Sequence, residues 1–404
     1  MNDSYDAAPH AEPARQLPAD TDAAARQIGR RLVEEVLNPL KRTFVGKDEI
    51  IDLLGVCLAG GENLFLLGPP GTAKTAIVHE LGRRLDGRTF DYLLTRFTEP
   101  NEIFGPFDIR RLRDGDLVTN TEGMLPESSL VFLDELLNAN SAILNSLLMV
   151  LNERLFRRGK ETIRLPLLMV VGASNRLPED DALRALFDRF LIRVQCDNVP
   201  DDELSDVLDA GWKIDAGQIE RGTTLSMEDV RALQTCLHQV DILSVRRPYL
   251  ELIRHLRQAG IDISDRRAVK LQRLIAASAL LCGRTTAGVG DFWILQHIWE
   301  RQEQQEVLKA LVHKALEADD GVQPRHPQAE TAEAPDAEAL ARDLDWLAGA
   351  ASEARDDPTS LAPLRDRLSI LAGRCQWVVD ADQRSDLQQK VEALWVPLGD
   401  RPQA

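Results

Sequence analysis

The sequence predicts an α/β fold, a parallel sheet covered by helices, followed by an all-α domain and a short C-terminal helical module. Three observations carry this expectation. Short apolar runs alternate with helical stretches between Asn63 and Val194. A glycine-rich loop joins the first of these runs to a helix. After Pro200 the strand signals fade and only helical periodicity continues.

The apolar runs are Asn63 to Leu67, Ser129 to Leu133, Leu167 to Val171 and Leu191 to Val194. Each has the length of a strand buried on both faces. Strands alternating with helices build a parallel sheet with helices on its faces. Ahead of them, Ile28, Leu32, Val36 and Leu40 recur every fourth residue and mark one helix face. Phe44-Val45-Gly46 breaks that pattern, and a second helix is expected over Asp48–Leu58.

Beyond Pro200, helices are expected near Asp201–Ala210, Met227–Gln239, Arg247–Gln258, Asp265–Leu281 and Asp291–Arg301, with Ser226 and Ser264 as N-caps. The domain plan is a disordered arm over 1–22, an α/β core over 23–200, a helical lid over 201–318, a Pro-rich linker over 319–335 and a helical bundle over 336–404. In the bundle, Leu340, Leu344 and Leu347 form one stripe, and Leu361, Leu364, Leu368 and Leu371 another.

The bulk numbers narrow the function. A net charge of -17 argues against a general nucleic-acid-binding surface. The five cysteines are odd in number and scattered, without a CxxC pair, so they suit small buried hydrophobes in a reducing, cytoplasmic setting. No apolar run approaches the ~20 residues a membrane helix needs, so direct membrane insertion is not expected.

The chemistry begins at Gly68-Pro69-Pro70-Gly71-Thr72-Ala73-Lys74-Thr75, between the first strand and a helix over Thr75–Arg84 that includes Ala76. A loop wrapping a helix N-terminus supplies the backbone N–H donors and positive field that phosphate needs. Lys74 would reach the β- and γ-phosphates, and the Thr75 hydroxyl would face Mg²⁺. Ala73 stands where such loops carry glycine, and a methyl group there is tolerated at a helical φ. The strand Leu130 to Leu133 ends in Asp134 and Glu135. There Asp134 would hold Mg²⁺ and Glu135 would polarise an attacking water. The strand Leu167 to Val171 leads to Asn175, placed to hydrogen-bond that water or the γ-phosphate.

These residues in this order resemble an AAA+ ATPase, the ring-forming class of P-loop enzymes, from about Ile28 to Trp299. Three stretches are similar to its MoxR branch, and to RavA-like proteins in particular. They are Thr95-Arg96-Phe97-Thr98 leading to Glu102-Ile103-Phe104-Gly105-Pro106; Phe132 to Glu135 with Ala142 to Asn145 and Leu151 to Arg154; and Ala173 to Pro178 running to Phe187-Asp188-Arg189-Phe190. Ser264-Asp265-Arg266-Arg267 continues the likeness in the lid.

The resemblance implies ATP and Mg²⁺ as cofactors. It implies Val45 and Gly46 against the adenine, and Gly68, Pro69, Pro70, Gly71, Thr72, Ala73, Lys74, Thr75 and Ala76 around the phosphates. Arg189 matches the arginine finger that reaches a neighbouring subunit. Arg266, or the adjacent Arg267, matches the lid arginine known as sensor 2. A finger supplied across an interface implies a homo-oligomer, a hexameric ring in this family. Glu102 to Pro126 and the hairpin Leu155 to Leu165, with Arg157, Arg158, Gly159 and Lys160 at its turn, match the family's pore elements. The likeness fades after Trp299, where RavA-like chains carry a longer region with a β-rich module.

The function implied is a remodelling or chaperone-like ATPase acting on a protein client, together with a von Willebrand factor A (VWA) domain partner. The alternative is a DNA motor or loader of the MCM-like kind, which the acidic balance disfavours. A slow nucleotide-bound scaffold is a third class, against which Glu135, Asn175 and Arg189 all speak.

Overall fold

In the computed structural model, the residues described are 20–108, 118–158, 161–178, 181–201, 203–218, 224–317, 326–330, 337–353, 364–365, 368, 371–372, 375 and 381–398. The expected arm over 1–22 lies outside them up to residue 19, and a helix is already present at Asp20–Arg31.

The core is a five-stranded sheet. Its strands are β1 (Leu64–Leu67), β3 (Thr89–Leu93), β4 (Leu130–Asp134), β7 (Met169–Ser174) and β8 (Ile192–Gln195), in the order β3-β4-β7-β1-β8. Every pairing in it is parallel. β1 and β7 are buried at every residue, as strands covered on both faces must be. β3 is the strand the apolar runs do not announce. It lies at the edge, with Phe90 buried and Thr89, Asp91 and Leu93 exposed.

Helix Asp48–Gly60 is buried from Ile50 onward and ends on Gly61 in the left-handed conformation. The stripe Ile28, Leu32, Val36 and Leu40 has a physical consequence. A spacing of four overshoots 3.6 residues per turn by about 40° a step, so an α-helix would carry the stripe around its axis. The chain takes wider i→i+5 turns over Leu32–Leu37, which absorb the drift and keep Leu32, Val36 and Leu40 fully buried.

After the sheet come helices Leu204–Asp215, Met227–Cys236, Arg246–Gln258 and Asp265–Leu281. Ser226 and Ser264 are N-caps, accepting from the backbone N–H groups of Asp229 and Arg267. Two expectations change here. A short strand, β9 (Leu225–Ser226), pairs with β2 (Leu85–Asp86). The helix expected over Asp291–Arg301 is a 3₁₀ segment, Val289–His297, buried nearly all round. Buried Asp291 fixes that segment, receiving Arg284 Nη2 at 2.7 Å and the Ser278 hydroxyl at 2.7 Å.

One buried cation ties the sheet to this segment. Arg193 on β8 is wholly buried and donates to the carbonyls of Phe187, Ile298 and Trp299 at 3.1, 3.2 and 2.7 Å. Its guanidinium lies 4.3 Å over the Phe187 ring. Burial pulls its pKa down to about 9, yet it stays charged at neutral pH.

The segment expected as a linker contains a docked turn. Pro327–Glu330 is a short helix in which Ala329 is buried. His326 is buried and stacks on Trp293, with centroids 4.6 Å apart. Gln328 Nε2 donates to Asp52 at 2.9 Å, and Lys41 pairs with the same carboxylate at 2.6 Å. Composition suggested a spacer, whereas aromatic stacking and a buried carboxylate hold these residues down. The remainder, 318–325 and 331–336, lies outside the described residues.

The C-terminal helices Ala337–Glu353 and Ala381–Leu398 enclose a separate small core of Leu340, Leu344, Leu347, Leu368, Leu371 and Leu387, among others. Of its tryptophans, Trp395 packs against this core, Trp346 is half exposed and Trp377 lies outside the described residues.

His326 also yields a pH test. Burial lowers its pKa, against the opposing pull of Asp52. Its folded pKa is below the unfolded value, so the unfolded chain holds more protons as pH falls from about 7 to 5, and stability falls with it. His326→Phe is expected to flatten that slope, and His326→Ala to cost about 1–3 kcal/mol. Urea unfolding across the pH range measures both.

Candidate functional site

The parallel register builds one end of the sheet into a site. β1 lies between β7 and β8, with Leu67 opposite Ser174 and Gln195. The chain leaves β1 at Gly68, whose N–H donates to the Ser174 carbonyl at 3.1 Å. Asn175 follows at once, exposed at the same edge. β4, on the far side of β7, ends at Asp134.

Gly68 is required by space. A Cβ there would lie 2.1 Å from the backbone carbonyl oxygen of Cys196. Cys196 closes the loop from beneath, with its N–H on the Leu67 carbonyl at 2.7 Å and its thiol donating to the Thr72 carbonyl at 3.3 Å. Gly71 is left-handed at φ +86° and faces open space.

Ala73 corrects the expectation of a helical φ. It has φ 66° and ψ 14°, the left-handed conformation, at the point where the loop turns into helix Lys74–Arg83. An L-residue costs about 1–2 kcal/mol there. Lys74 is buried and donates its ammonium to the carbonyls of Gly68 and Pro69 at 2.8 and 2.7 Å. Thr75 and Ala76 are exposed on the first turn of the helix.

Glu135 is also left-handed, at φ 49°, and its N–H donates to Asp134 Oδ1 at 2.9 Å. Burial, then the Asp134 charge, raises the Glu135 pKa, while Lys74 and Arg176 oppose the rise. Lys74, Asp134, Glu135 and Arg176 therefore share one electrostatic neighbourhood. Asn138 and Arg176 were not singled out from the sequence. Asn138 Nδ2 contacts Glu135 Oε2 at 3.4 Å, and Arg176 Nη2 donates to Asn138 Oδ1 at 3.1 Å. Together they brace the carboxylate and border a cavity of about 610 Å³ shared with Arg96 and Asn140.

Val45 borders a second cleft, of about 430 Å³, with Pro39, Thr43, Asp206, Lys213 and Ile214. Gly46 is left-handed, and a Cβ on it would meet Glu203 and Val199.

Arg189 and Arg266 stand elsewhere. Asn63, just before β1, donates its side-chain amide to the Arg189 carbonyl at 3.3 Å. Arg189 thus sits at the start of β1 and the phosphate loop at its end. The five residue steps between Asn63 and Gly68 span about 16 Å. Arg189 and Arg266 share a small cavity with Asn152 and Lys270, and Arg266 Nη2 reaches Asn152 Oδ1 at 3.4 Å. The neighbouring Arg267 is buried and held by the carbonyl of Asp262 and the carboxylate of Glu300. Those contacts make it structural and leave Arg266 as the exposed lid arginine.

The two expected pore elements touch each other. β5 (Leu155–Arg158) and β6 (Glu161–Arg164) form the antiparallel hairpin, and Phe156 stacks on Phe104 with centroids 5.1 Å apart. Residues 109–117 of the insertion, and Gly159 and Lys160 at the hairpin turn, lie outside the described residues.

With this geometry in place, comparison with known proteins is decisive. Residues 30–235 match the family described as the MoxR domain in the MoxR-vWA-beta-propeller ternary systems. Residues 241–312 match an AAA lid domain. The chain belongs to the MoxR family of AAA+ ATPases. Two uncharacterized proteins of Methanocaldococcus jannaschii are 35% and 36% identical to it, each over 66% of this chain and over 71% and 70% of their own lengths. Chaperone MoxR1 of Mycobacterium tuberculosis is 27% identical over 46% of this chain and 49% of its own. A crystal structure of an ATPase candidate from Cytophaga hutchinsonii superposes with a TM-score of 0.59 at 19% identity, over 74% of this chain and 96% of that one, which shows the fold alone. Family membership implies nucleotide binding. Among the described residues, no helix is long and apolar enough to cross a membrane.

Ala73 offers a direct test of loop strain in this MoxR chain. Ala73→Gly removes the left-handed penalty and adds unfolded-state freedom, so a net gain of up to about 1 kcal/mol is expected, with nucleotide affinity kept. Urea unfolding and nucleotide titration check it; a loss of stability contradicts the strain. Gly68→Ala, by contrast, drives a methyl group into Cys196 and is expected to abolish nucleotide binding.

Proposed function

We propose that this protein is a ring-forming Mg²⁺-dependent ATP hydrolase that remodels a protein client alongside a VWA-domain partner. The observation that carries the reading is the separation along β1. Lys74, Asp134, Glu135 and Asn175 gather at its end, while Arg189 stands at its start.

The donor set fits the metal. Mg²⁺ is held by one or two protein oxygens together with phosphate and water. The hydroxyl of Thr75 and the carboxylate of Asp134 are hard oxygen ligands of that kind. No group of three or more His, Cys, Asp or Glu residues that could cage an ion occurs among the described residues. When bound, the ion supplies charge neutralisation on the β- and γ-phosphates.

The chain's own residues do the rest. Lys74 offsets phosphate charge from beneath the loop. Glu135, braced by Asn138, orients a water and takes its proton. Asn175 donates its amide to the same water or to the γ-phosphate. Arg189 of a neighbouring copy completes the charge stabilisation, because its own phosphate loop lies a strand length away. The VWA partner is supported by the MoxR-vWA-beta-propeller ternary systems that define the matched family. The chaperone role is supported by the name of the Mycobacterium tuberculosis relative.

Lys74→Ala is expected to lose nucleotide binding. Glu135→Gln is expected to bind ATP and turn it over at least ~100-fold more slowly; ordinary turnover would remove Glu135 from the role. Arg189→Ala and Lys74→Ala are each expected to be inactive, and mixing them to restore hydrolysis. In a random equimolar ring, roughly a quarter of interfaces pair an intact loop with an intact finger. A mixture as inactive as its parents, under conditions of subunit exchange, contradicts action in trans.

A further inference from the structure

The turn that follows β4 is anchored at both ends. Leu136 and Leu137 are buried, and Gly172 on β7 leaves room for Leu136, whose Cδ2 lies 2.7 Å from where a Cβ on that glycine would stand. Beyond the turn, Asn140 Oδ1 caps helix Ser141–Glu153 by accepting from the N–H groups of Ala142 and Ile143. The Asn140 amide donates to the Thr98 carbonyl at 2.7 Å. Between these anchors the chain makes one 3₁₀ turn, Leu136–Asn138, closed by the Asn138 N–H on the Glu135 carbonyl at 2.9 Å. Roughly three residues per turn bring side chains i and i+3 into line, so Asn138 stands over Glu135.

One freedom is left to this turn. The plane of an asparagine amide rotates in a broad, roughly two-fold well, and its two ends are chemical opposites. The NH₂ end donates and the carbonyl end accepts, so only the first suits a carboxylate. Arg176 makes the choice. Its guanidinium carries donors and no acceptor, so it can meet only Oδ1 of Asn138, which it does at 3.1 Å. Nδ2 is thereby turned to Glu135 Oε2, 3.4 Å away. Arg176 is itself set by β7, since its backbone N–H donates to the Oγ of buried Ser174 at 3.3 Å.

We propose that Arg176 is a positioning residue for Glu135, acting within its own copy and through the amide of Asn138. It needs no contact with the nucleotide. Arg176 holds the amide donor-first, and the amide holds the carboxylate. An exposed arginine contributes little through charge alone, because water screens it, so the effect lies in the direction of the hydrogen bond. The inference rests on the reading that Glu135 is the base of ATP hydrolysis, and adds what aims it.

Steady-state ATP hydrolysis by the full chain with Mg²⁺ tests it. Arg176→Met is expected to lower kcat about 10-fold and to leave KM for ATP within about 2-fold, the pattern of a lost orienting hydrogen bond. Arg176→Lys, also a donor without an acceptor, is expected to recover kcat to within about 3-fold of the parent. Asn138→Ala is expected to match Arg176→Met, and the double variant to be no slower than Asn138→Ala alone. Wild-type kcat in Arg176→Met overturns the proposal, as does a loss confined to KM or a double variant that multiplies the two losses. Mixing Arg176→Met with Lys74→Ala is expected to add no hydrolysis beyond the two parents; restored hydrolysis puts Arg176 in trans and overturns it.

A second readout needs no nucleotide. In NMR spectra of protein carrying isotope-labelled asparagine, the Asn138 side-chain signal is the one that Asn138→Ala removes. It is expected to shift toward a solvated amide in Arg176→Met and to stay in place in Arg176→Lys. A signal unmoved by Arg176→Met overturns the relay. Arg176 is exposed, so its variants are expected to keep the parent's unfolding midpoint. A kcat loss that tracks a fallen midpoint makes Arg176 structural and also overturns the proposal. Glu135→Gln, run alongside, separates the two readings. Ordinary turnover in Glu135→Gln removes the base and the relay together. Slow turnover there, with wild-type turnover in Arg176→Met, leaves the base standing and removes the relay.

Discussion

The parallel pairing of β1 between β7 and β8 is the constraint on which the rest depends. It brings the phosphate loop, Ser174 and Cys196 to one edge, because parallel neighbours all end on the same side. The same register places Asn63, and with it Arg189, at the other edge. The two groups of candidate site residues are therefore separated in a single copy by the backbone that positions them. Charge makes the same division. The loop pole holds Asp134 and Glu135 about Lys74, while the far pole gathers Arg154, Arg189, Arg266 and Lys270. Glu62 tempers that cationic end by pairing with Lys270 at 2.6 Å.

Strain is distributed along the same axis. Among the described residues, only Ala73, Glu135 and Arg154 are left-handed without being glycine. Ala73 and Glu135 flank the phosphate pole. Arg154 ends helix Ser141–Glu153 and sends its guanidinium to the Gly61 carbonyl and Asn63 Oδ1, at the opposite pole. Burial lowers the pKa of Arg154 to about 10. Each left-handed residue costs on the order of 1 kcal/mol and is held by packing around it. At Glu135 the return is visible: the turn leaves the carboxylate in reach of the Asn138 amide.

Four of the five sheet strands were legible because burial on both faces leaves a largely apolar run, interrupted in β8 by the buried Arg193. β3 was not, because an edge strand with one buried aromatic, Phe90, carries a weak signal. The lid helices were legible from their caps. The 3₁₀ segment Val289–His297 was misread as a helix because burial all round erases the period that separates the two. The phosphate loop and the Asp134-Glu135 pair were legible because their chemistry is contiguous in sequence. Asn138 and Arg176 were not, since a side-chain bond across 38 residues leaves no spacing to read. The His326 turn failed in the same way: Trp293 and Asp52, which hold it, are both distant in the chain. The left-handed φ of Ala73 was hidden because a methyl group in sequence suggests the opposite backbone.

The remaining asymmetry concerns the surface. Helix Leu204–Asp215 could have buried its leucines by rotating about its axis. Its Val207, Ala210 and Ile214 are instead turned inward, Ala210 and Ile214 lining the cleft at Val45 beside Asp206 and Lys213, and Glu203 stands against Gly46. Rotation would withdraw Ala210 and Ile214 from that wall and turn Glu203 away from Gly46. That inner side therefore fixes the helix's orientation, and Leu204, Leu208 and Trp212 face outward as a consequence. Keeping Trp212 78% exposed forgoes up to about 1.5–3 kcal/mol of burial in an isolated chain.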